Sequence, residues 1–126
     1  MPHPLGGEAY VSLASFRRDG REVPTPVWIA PDGEALVVYT NATSGKVKRI
    51  RSRGRVRLAA CDARGKLRGD WVEARARLRD DPAALERGIA AIRRKYGWQA
   101  HLVMLGARIF GRWPDRAVIE IRIGRA

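Results

Sequence analysis

The chain concentrates its chemistry in Thr40-Asn41-Ala42-Thr43-Ser44-Gly45-Lys46-Val47-Lys48-Arg49-Ile50. Thr43 or Ser44 suits the first position of a helix, because a hydroxyl there accepts a bond from an otherwise unpaired N–H. A hydroxyl, free N–H groups, Gly45 and Lys46 would then converge at one helix start, a combination that holds phosphate. The Gly-x-x-x-x-Gly-Lys-Ser/Thr pattern of nucleotide loops is absent. A capped surface helix with a solvated basic face uses the same residues, and composition alone leaves both readings open.

Other chemistry finds little support. His3 and His101 are the only histidines and stand far apart, with no ligand-rich spacing around either. No Gly-x-Ser-x-Gly elbow occurs, and Asp80-Asp81 reads as a helix start rather than a catalytic pair. Cys61 is the single cysteine and lies in an apolar strand pattern, so it reads as an inert buried thiol in a reducing, cytoplasmic protein. No metal ligand set and no catalytic side chain is assigned. Any reaction would be carried by a bound cofactor.

The elements that must position this stretch follow from pattern. The chain has 126 residues, the length of one domain spanning 1–126, with no apolar run of membrane length and no signal-peptide core at its start. Strands are expected over Ala9–Arg17, Glu22–Ala30, Glu34–Thr40, Val56–Asp62, Leu67–Arg79 and Ala117–Ile123. The first two should meet at a type I′ turn on Asp19-Gly20, since both central positions of that turn take positive φ. Pro24 and Pro26 mark an edge, a bulge or a place where something else pairs with the backbone. Helices are expected over about 44–53, from Asp81-Pro82 to Gly97, and over about 99–110, before a turn at Trp113-Pro114-Asp115-Arg116. Six mostly hairpin-linked strands with inserted helices imply a small antiparallel β-barrel.

A formal net charge of +12 points to an anionic partner: nucleic acid, an acidic membrane surface or a phosphorylated cofactor. A basic barrel that binds nucleic acid is one reading. The aromatic residues that would stack on bases are sparse. The sequence therefore predicts only weak nucleic-acid binding that salt abolishes through the counterion effect.

Taken together, Tyr10 to Phe16, Gly20, Pro24 to Trp28, Tyr39-Thr40, Ser44 to Ile50, Val56 to Leu58 and Trp71 to Ala76 resemble the split β-barrel flavin and deazaflavin oxidoreductases. This is the pyridoxamine 5′-phosphate oxidase-like superfamily, and the similarity is greatest to its small actinobacterial F420-dependent members. The resemblance covers about Tyr10 to Ile123. It implies a mainly β, six-stranded antiparallel split barrel that binds F420, or alternatively FMN, and works as a homodimer with cofactor at the subunit interface. The implied reaction is hydride transfer between deazaflavin and a small electron-poor organic substrate.

Residue by residue, the resemblance makes Lys46 the phosphate-binding lysine, with Ser44, Gly45, Tyr39 and Thr40 beside it. Lys48 and Arg49 would lie near the phosphate or the acidic tail of F420. The backbone of Pro24, Thr25, Pro26, Val27 and Trp28 would border the ring, and Arg68 to Trp71 would be supplied by the partner subunit. Trp28 and Trp71 could equally serve core or dimer packing. The cluster Lys46, Lys48, Arg49, Arg51 and Arg53 suits a longer anion than FMN.

Overall fold

The computed structural model describes residues 4–41, 45–99 and 116–124. The expected helix over about 99–110, the turn at Trp113, both histidines and the Thr43-Ser44 cap lie outside the described residues, apart from Gln99 itself. After a 3-10 turn over Pro4–Gly7 come strands β1 (Tyr10–Phe16), β2 (Glu22–Val27), β3 (Ala30–Asp32) and β4 (Ala35–Asn41). Helix α1 (Gly45–Ser52), β5 (Arg55–Cys61), β6 (Val72–Arg79), helix α2 (Pro82–Tyr96) and β7 (Arg116–Ile123) complete the order.

The strands form one sheet in the order β2-β1-β5-β6-β7-β4-β3, antiparallel at each pairing. Period-2 alternation puts Val11, Leu13, Leu58, Ala74, Ala76, Ile121, Leu36 and Val38 in one buried cluster inside the curl. β2 and β3 are the two ends of the sheet, yet only Trp28 and Ile29 separate them in the chain. Three Cα steps span at most about 11 Å, so the sheet must curl until its ends nearly meet. No β2–β3 ladder forms among the described residues, and the barrel is split there.

Seven strands therefore replace the six expected, because Glu22–Ala30 breaks at Trp28-Ile29. The cause is visible at Ile29. Its N–H donates to the Tyr96 hydroxyl at 3.0 Å, and its carbonyl accepts from the Lys95 ammonium, so neither serves a neighbouring strand. Lys95 also donates to the Glu8 carbonyl, and the Tyr96 hydroxyl donates to Ala9 O at 2.9 Å. The Trp28 indole stacks on the Tyr96 ring, with centroids 4.3 Å apart and planes 8° from parallel.

Two further boundaries differ. The first hairpin is not type I′, for no described residue other than glycine has positive φ. Gly20 alone takes φ 90°, its N–H donates to Arg17 O at 2.9 Å, and Arg17 N–H donates to Arg21 O at 2.9 Å. This three-residue loop needs one left-handed residue where type I′ needs two, so Asp19 escapes the strain. β6 starts at Val72 rather than Leu67, which makes only an isolated bridge to Cys61.

α2 follows its caps. The Asp81 carboxylate accepts from Ala84 N at 3.2 Å, Pro82 opens the first turn, and Gly97 N–H closes on Arg93 O at 2.8 Å. Leu85, Ile89, Ile92 and Tyr96 form one face, which packs with Val37, Tyr39 and Val118 on the outer side of the sheet. Among the described residues no helix is long and apolar enough to cross a membrane.

Gly88 sets how closely α2 approaches β7. A Cβ there would lie 2.5 Å from Val118 Cγ2, well inside contact distance. Gly88→Ala is expected to lower unfolding free energy by about 1–3 kcal/mol through overpacking, measured by urea denaturation. Helix propensity alone favours alanine, so a stabilised variant would show that α2 is not held at this spacing.

The clasp at Ile29 also gives a pH signature. Burial pushes the Lys95 ammonium down to about 8 from the usual 10.5, against a smaller opposing pull from Glu8. Between those values the unfolded chain binds the proton that the fold has released, so rising pH favours the fold. Burial pushes Tyr96 up to about 12 from 10, so its contribution is present below about pH 10 and is lost towards pH 12. The melting temperature of the protein relative to Lys95→Met is expected to rise between pH 8 and 10. A difference that stays flat across that window would refute a desolvated ammonium.

Candidate functional site

α1 buries Val47 and Ile50 and packs beside β1 and β6. Helical geometry puts Lys46 and Arg49 along one flank, and Arg49 and, just past the helix, Arg53 reach β1 and the β1–β2 hairpin; Lys46 does not line the cavity between them. Phe16, Arg17, Arg18, Lys48, Arg49, Ser52 and Arg53 line an open cavity of about 410 Å³ between the helix and that hairpin. Arg53 Nη2 donates to Arg18 O at 3.2 Å and ties helix to hairpin. Arg49 Nε donates to the buried Ser15 hydroxyl at 2.6 Å.

The electrostatics are one-sided. Arg17, Arg18, Lys46, Lys48, Arg49, Arg51 and Arg53 form no ion pair with a carboxylate among the described residues. Burial, and then the nearby Arg49 charge, hold the Lys46 ammonium below its usual range. Burial and the Arg17 charge likewise lower Arg49. Each shift says that the surroundings disfavour another positive charge, and a bound anion would relieve it. The Asp19 carboxylate pairs with Arg21 at 2.8 Å, and its hydrogen bonds to Arg21, with a smaller pull from the Arg17 charge, hold its carboxyl below the usual range, so it offsets Arg17 only in part.

β2 contributes a second kind of surface. Arg17 and Arg21 are a hydrogen-bonded pair, so the antiparallel alternation makes Ser15–Val23, Leu13–Thr25 and Val11–Val27 hydrogen-bonded too. The polar backbone groups of Glu22, Pro24 and Pro26 then face the free edge. Proline has no N–H, so at Pro24 and Pro26 that edge offers carbonyl acceptors and no donors.

The expected site residues divide accordingly. Gly45, Lys46, Lys48 and Arg49 come together on α1, while Ser44 lies outside the described residues. Thr40 is buried one residue from the end of β4. Tyr39 and Trp28 join the cluster beneath α2 on the outer side of the sheet, so the Trp28 ring packs and only its backbone continues the β2 edge. Arg68 is exposed on the β5–β6 connection, and Trp71 is half-buried with the Arg57 guanidinium 4.7 Å from its ring centroid. Pro24, Thr25, Pro26 and Val27 form the edge itself.

Ser15, Arg17 and Arg18 were not among the expected residues. Ser15 reads as one more strand residue, and Arg17-Arg18 reads as a polar turn. The only signal was the basic pair placed just before Asp19-Gly20. Among the described residues no group of three metal-ligating side chains converges.

A family model described as pyridoxamine 5′-phosphate oxidase matches residues 5–126. Several solved structures share the fold. The conserved hypothetical protein Rv2991 from Mycobacterium tuberculosis superposes with a TM-score of 0.72 at 22% identity, over 96% of this chain and 76% of its own. An F420 reductase superposes with a TM-score of 0.61 at 21% identity, over 99% of this chain and 97% of its own. HutZ, the heme storage protein from Vibrio cholerae, gives 0.68 at 12% identity, over 94% and 84%. No curated protein matches in sequence. The split barrel, its cation-lined cavity and the family match agree: the chain belongs to the pyridoxamine 5′-phosphate oxidase family.

Proposed function

We propose that the protein is an F420-dependent oxidoreductase acting on a small electron-poor organic substrate. The observation that carries this reading is the group of carboxylate-free cations on α1 and the β1–β2 hairpin, in a fold shared over nearly the full length of both chains with an F420 reductase. A phosphate fits the donor set: Lys46 and Arg49 are partly desolvated and held below their usual pKa by burial. Lys48, Arg17, Arg18 and Arg53 extend the positive surface beyond a single phosphate. This favours the longer anion F420 over FMN, the alternative on the same fold.

In this reading Lys46 and Arg49 neutralise the phosphate, and backbone N–H groups at the start of α1 orient it. The Pro24 and Pro26 carbonyls accept hydrogen bonds from ring N–H groups and so set the ring's orientation. When bound, the reduced deazaflavin supplies a hydride. The protein contributes position, exclusion of water and charge neutralisation. The remaining walls come from a second copy, through Arg68 to Trp71, in a two-fold dimer.

Removing the Lys46 ammonium should cost a charge-assisted bond of about 1.5–3 kcal/mol. Lys46→Ala is therefore expected to weaken F420 binding roughly ten- to a hundredfold, with little change in melting temperature. Arg94→Ala, on the exposed side of α2, is the control. Lys95 cannot serve, since it holds the Ile29 carbonyl. Fluorescence titration of the apo protein decides, and equal losses in both variants would mean that diffuse charge does the binding.

The dimer has its own test. Static light scattering at micromolar concentration is expected to report twice the chain mass. A stable monomer that still binds F420 would remove Arg68 to Trp71 from the site.

A further inference from the structure

Arg49 is held in an unusual way for a helix-surface arginine. Its Nε donates to Ser15 Oγ at 2.6 Å, across 34 residues of sequence. Ser15 is fully buried, and Arg49 is the one partner of its hydroxyl among the described residues. Four guanidinium N–H groups, on Nη1 and Nη2, have no acceptor among the described residues. At the other end of the side chain's path, Nη1 lies 2.9 Å from where a Cβ on Gly45 would stand. Any residue but glycine at 45 would push the guanidinium away.

We propose that Ser15 and Gly45 are positioning residues that set the Arg49 guanidinium as a preformed half of the anion clamp, with Lys46 as the other half. The proposal rests on the phosphate reading of this site. A flexible arginine loses rotamer freedom when it binds, and a side chain fixed beforehand does not. Ser15 fixes Nε, which leaves the Nη pair as the donating edge. Gly45 lets that edge lie against the first turn of α1, where the helix N–H groups also emerge. Arg49 stands three residues from Lys46 on α1, one turn along the same flank of the helix, and its charge is felt there. Two cations are brought together without a carboxylate between them, and the interaction that opposes their repulsion is left to the ligand. A lysine at position 49 has no Nε–H fork and could not be held this way.

The test is a double-mutant cycle on the full chain, with dissociation constants for F420, FMN and inorganic phosphate and a melting temperature for each variant. Ser15→Ala in the otherwise unchanged protein is expected to weaken F420 binding about five- to tenfold. Arg49→Ala is expected to weaken it more, and Ser15→Ala added to Arg49→Ala is expected to cost nothing further. Gly45→Ala should behave like Ser15→Ala, and Arg49→Lys should be insensitive to Ser15→Ala. A purely structural role for Ser15 would weaken binding equally in both backgrounds, and that result would overturn the proposal while leaving the phosphate site standing. Binding of FMN but not F420, with the cycle intact, would support the clamp and revise the cofactor. A protein that binds none of the three probes would overturn both the clamp and the functional reading.

Discussion

The sheet depends on one interaction more than on any other: the grip of α2's last turn on Ile29. Curling a seven-stranded sheet until its ends are two residues apart leaves the joining peptide with polar groups and no ladder to satisfy them. Tyr96 takes the N–H, Lys95 takes the carbonyl, and the same two side chains hold the Ala9 and Glu8 carbonyls at the entry to β1. The Trp28–Tyr96 stack adds apolar contact beside these bonds. A single helical turn thus fixes where the chain enters the sheet and where it crosses from one end to the other. The free edge of β2 begins at that crossing, so the same clasp sets the position of the edge.

Charge is distributed by the same logic of satisfied and unsatisfied groups. On the outer face of the sheet, Arg55 makes a two-pronged pair with Glu73, Arg57 reaches Glu22, and Arg79 bridges Asp81 and Glu120. The Arg55–Glu73 pair is exposed and contributes little, while the Arg57 and Arg79 pairs are part-buried. Around α1 and the β1–β2 hairpin, Arg17, Arg18, Lys46, Lys48, Arg49, Arg51 and Arg53 form no such pair among the described residues. Seven of the 25 basic residues behind the excess of +12 are gathered there. Holding like charges together costs stability in the free protein, a cost that persists in proteins mainly where binding offsets it.

Local signals were legible in the sequence because their causes are local. Asp81-Pro82 and Gly97 bracket α2 through bonds within one turn of each end. Alternation in β6 and β7 needed only a buried face and an outer one. The break at Trp28-Ile29 was not legible, because the partner that makes it necessary lies 67 residues away. Arg49 could be read as basic and near the helix start. That it is tethered to Ser15 could not, since the tether joins two elements whose approach is set by how the barrel closes on α1. The Trp28 ring was ambiguous between lining a site and packing. The ambiguity ends once Tyr96 is seen at stacking distance.

The prolines of β2 show why the edge and the site are one problem. An open strand edge normally invites another strand, because it shows alternating donors and acceptors. Pro24 and Pro26 fall on the two interior positions whose N–H would face outward, while Val23, Thr25 and Val27 keep theirs for β1. The pairing to β1 loses nothing, and the outward edge loses the donors that a second strand would need. What remains is a row of carbonyls, which suits a flat molecule that brings its own N–H groups better than it suits another polypeptide. A residue choice that blocks edge-to-edge association therefore leaves an acceptor surface beside the split. The cations of α1 lie apart from this edge, on the helix that packs beside β1 and β6.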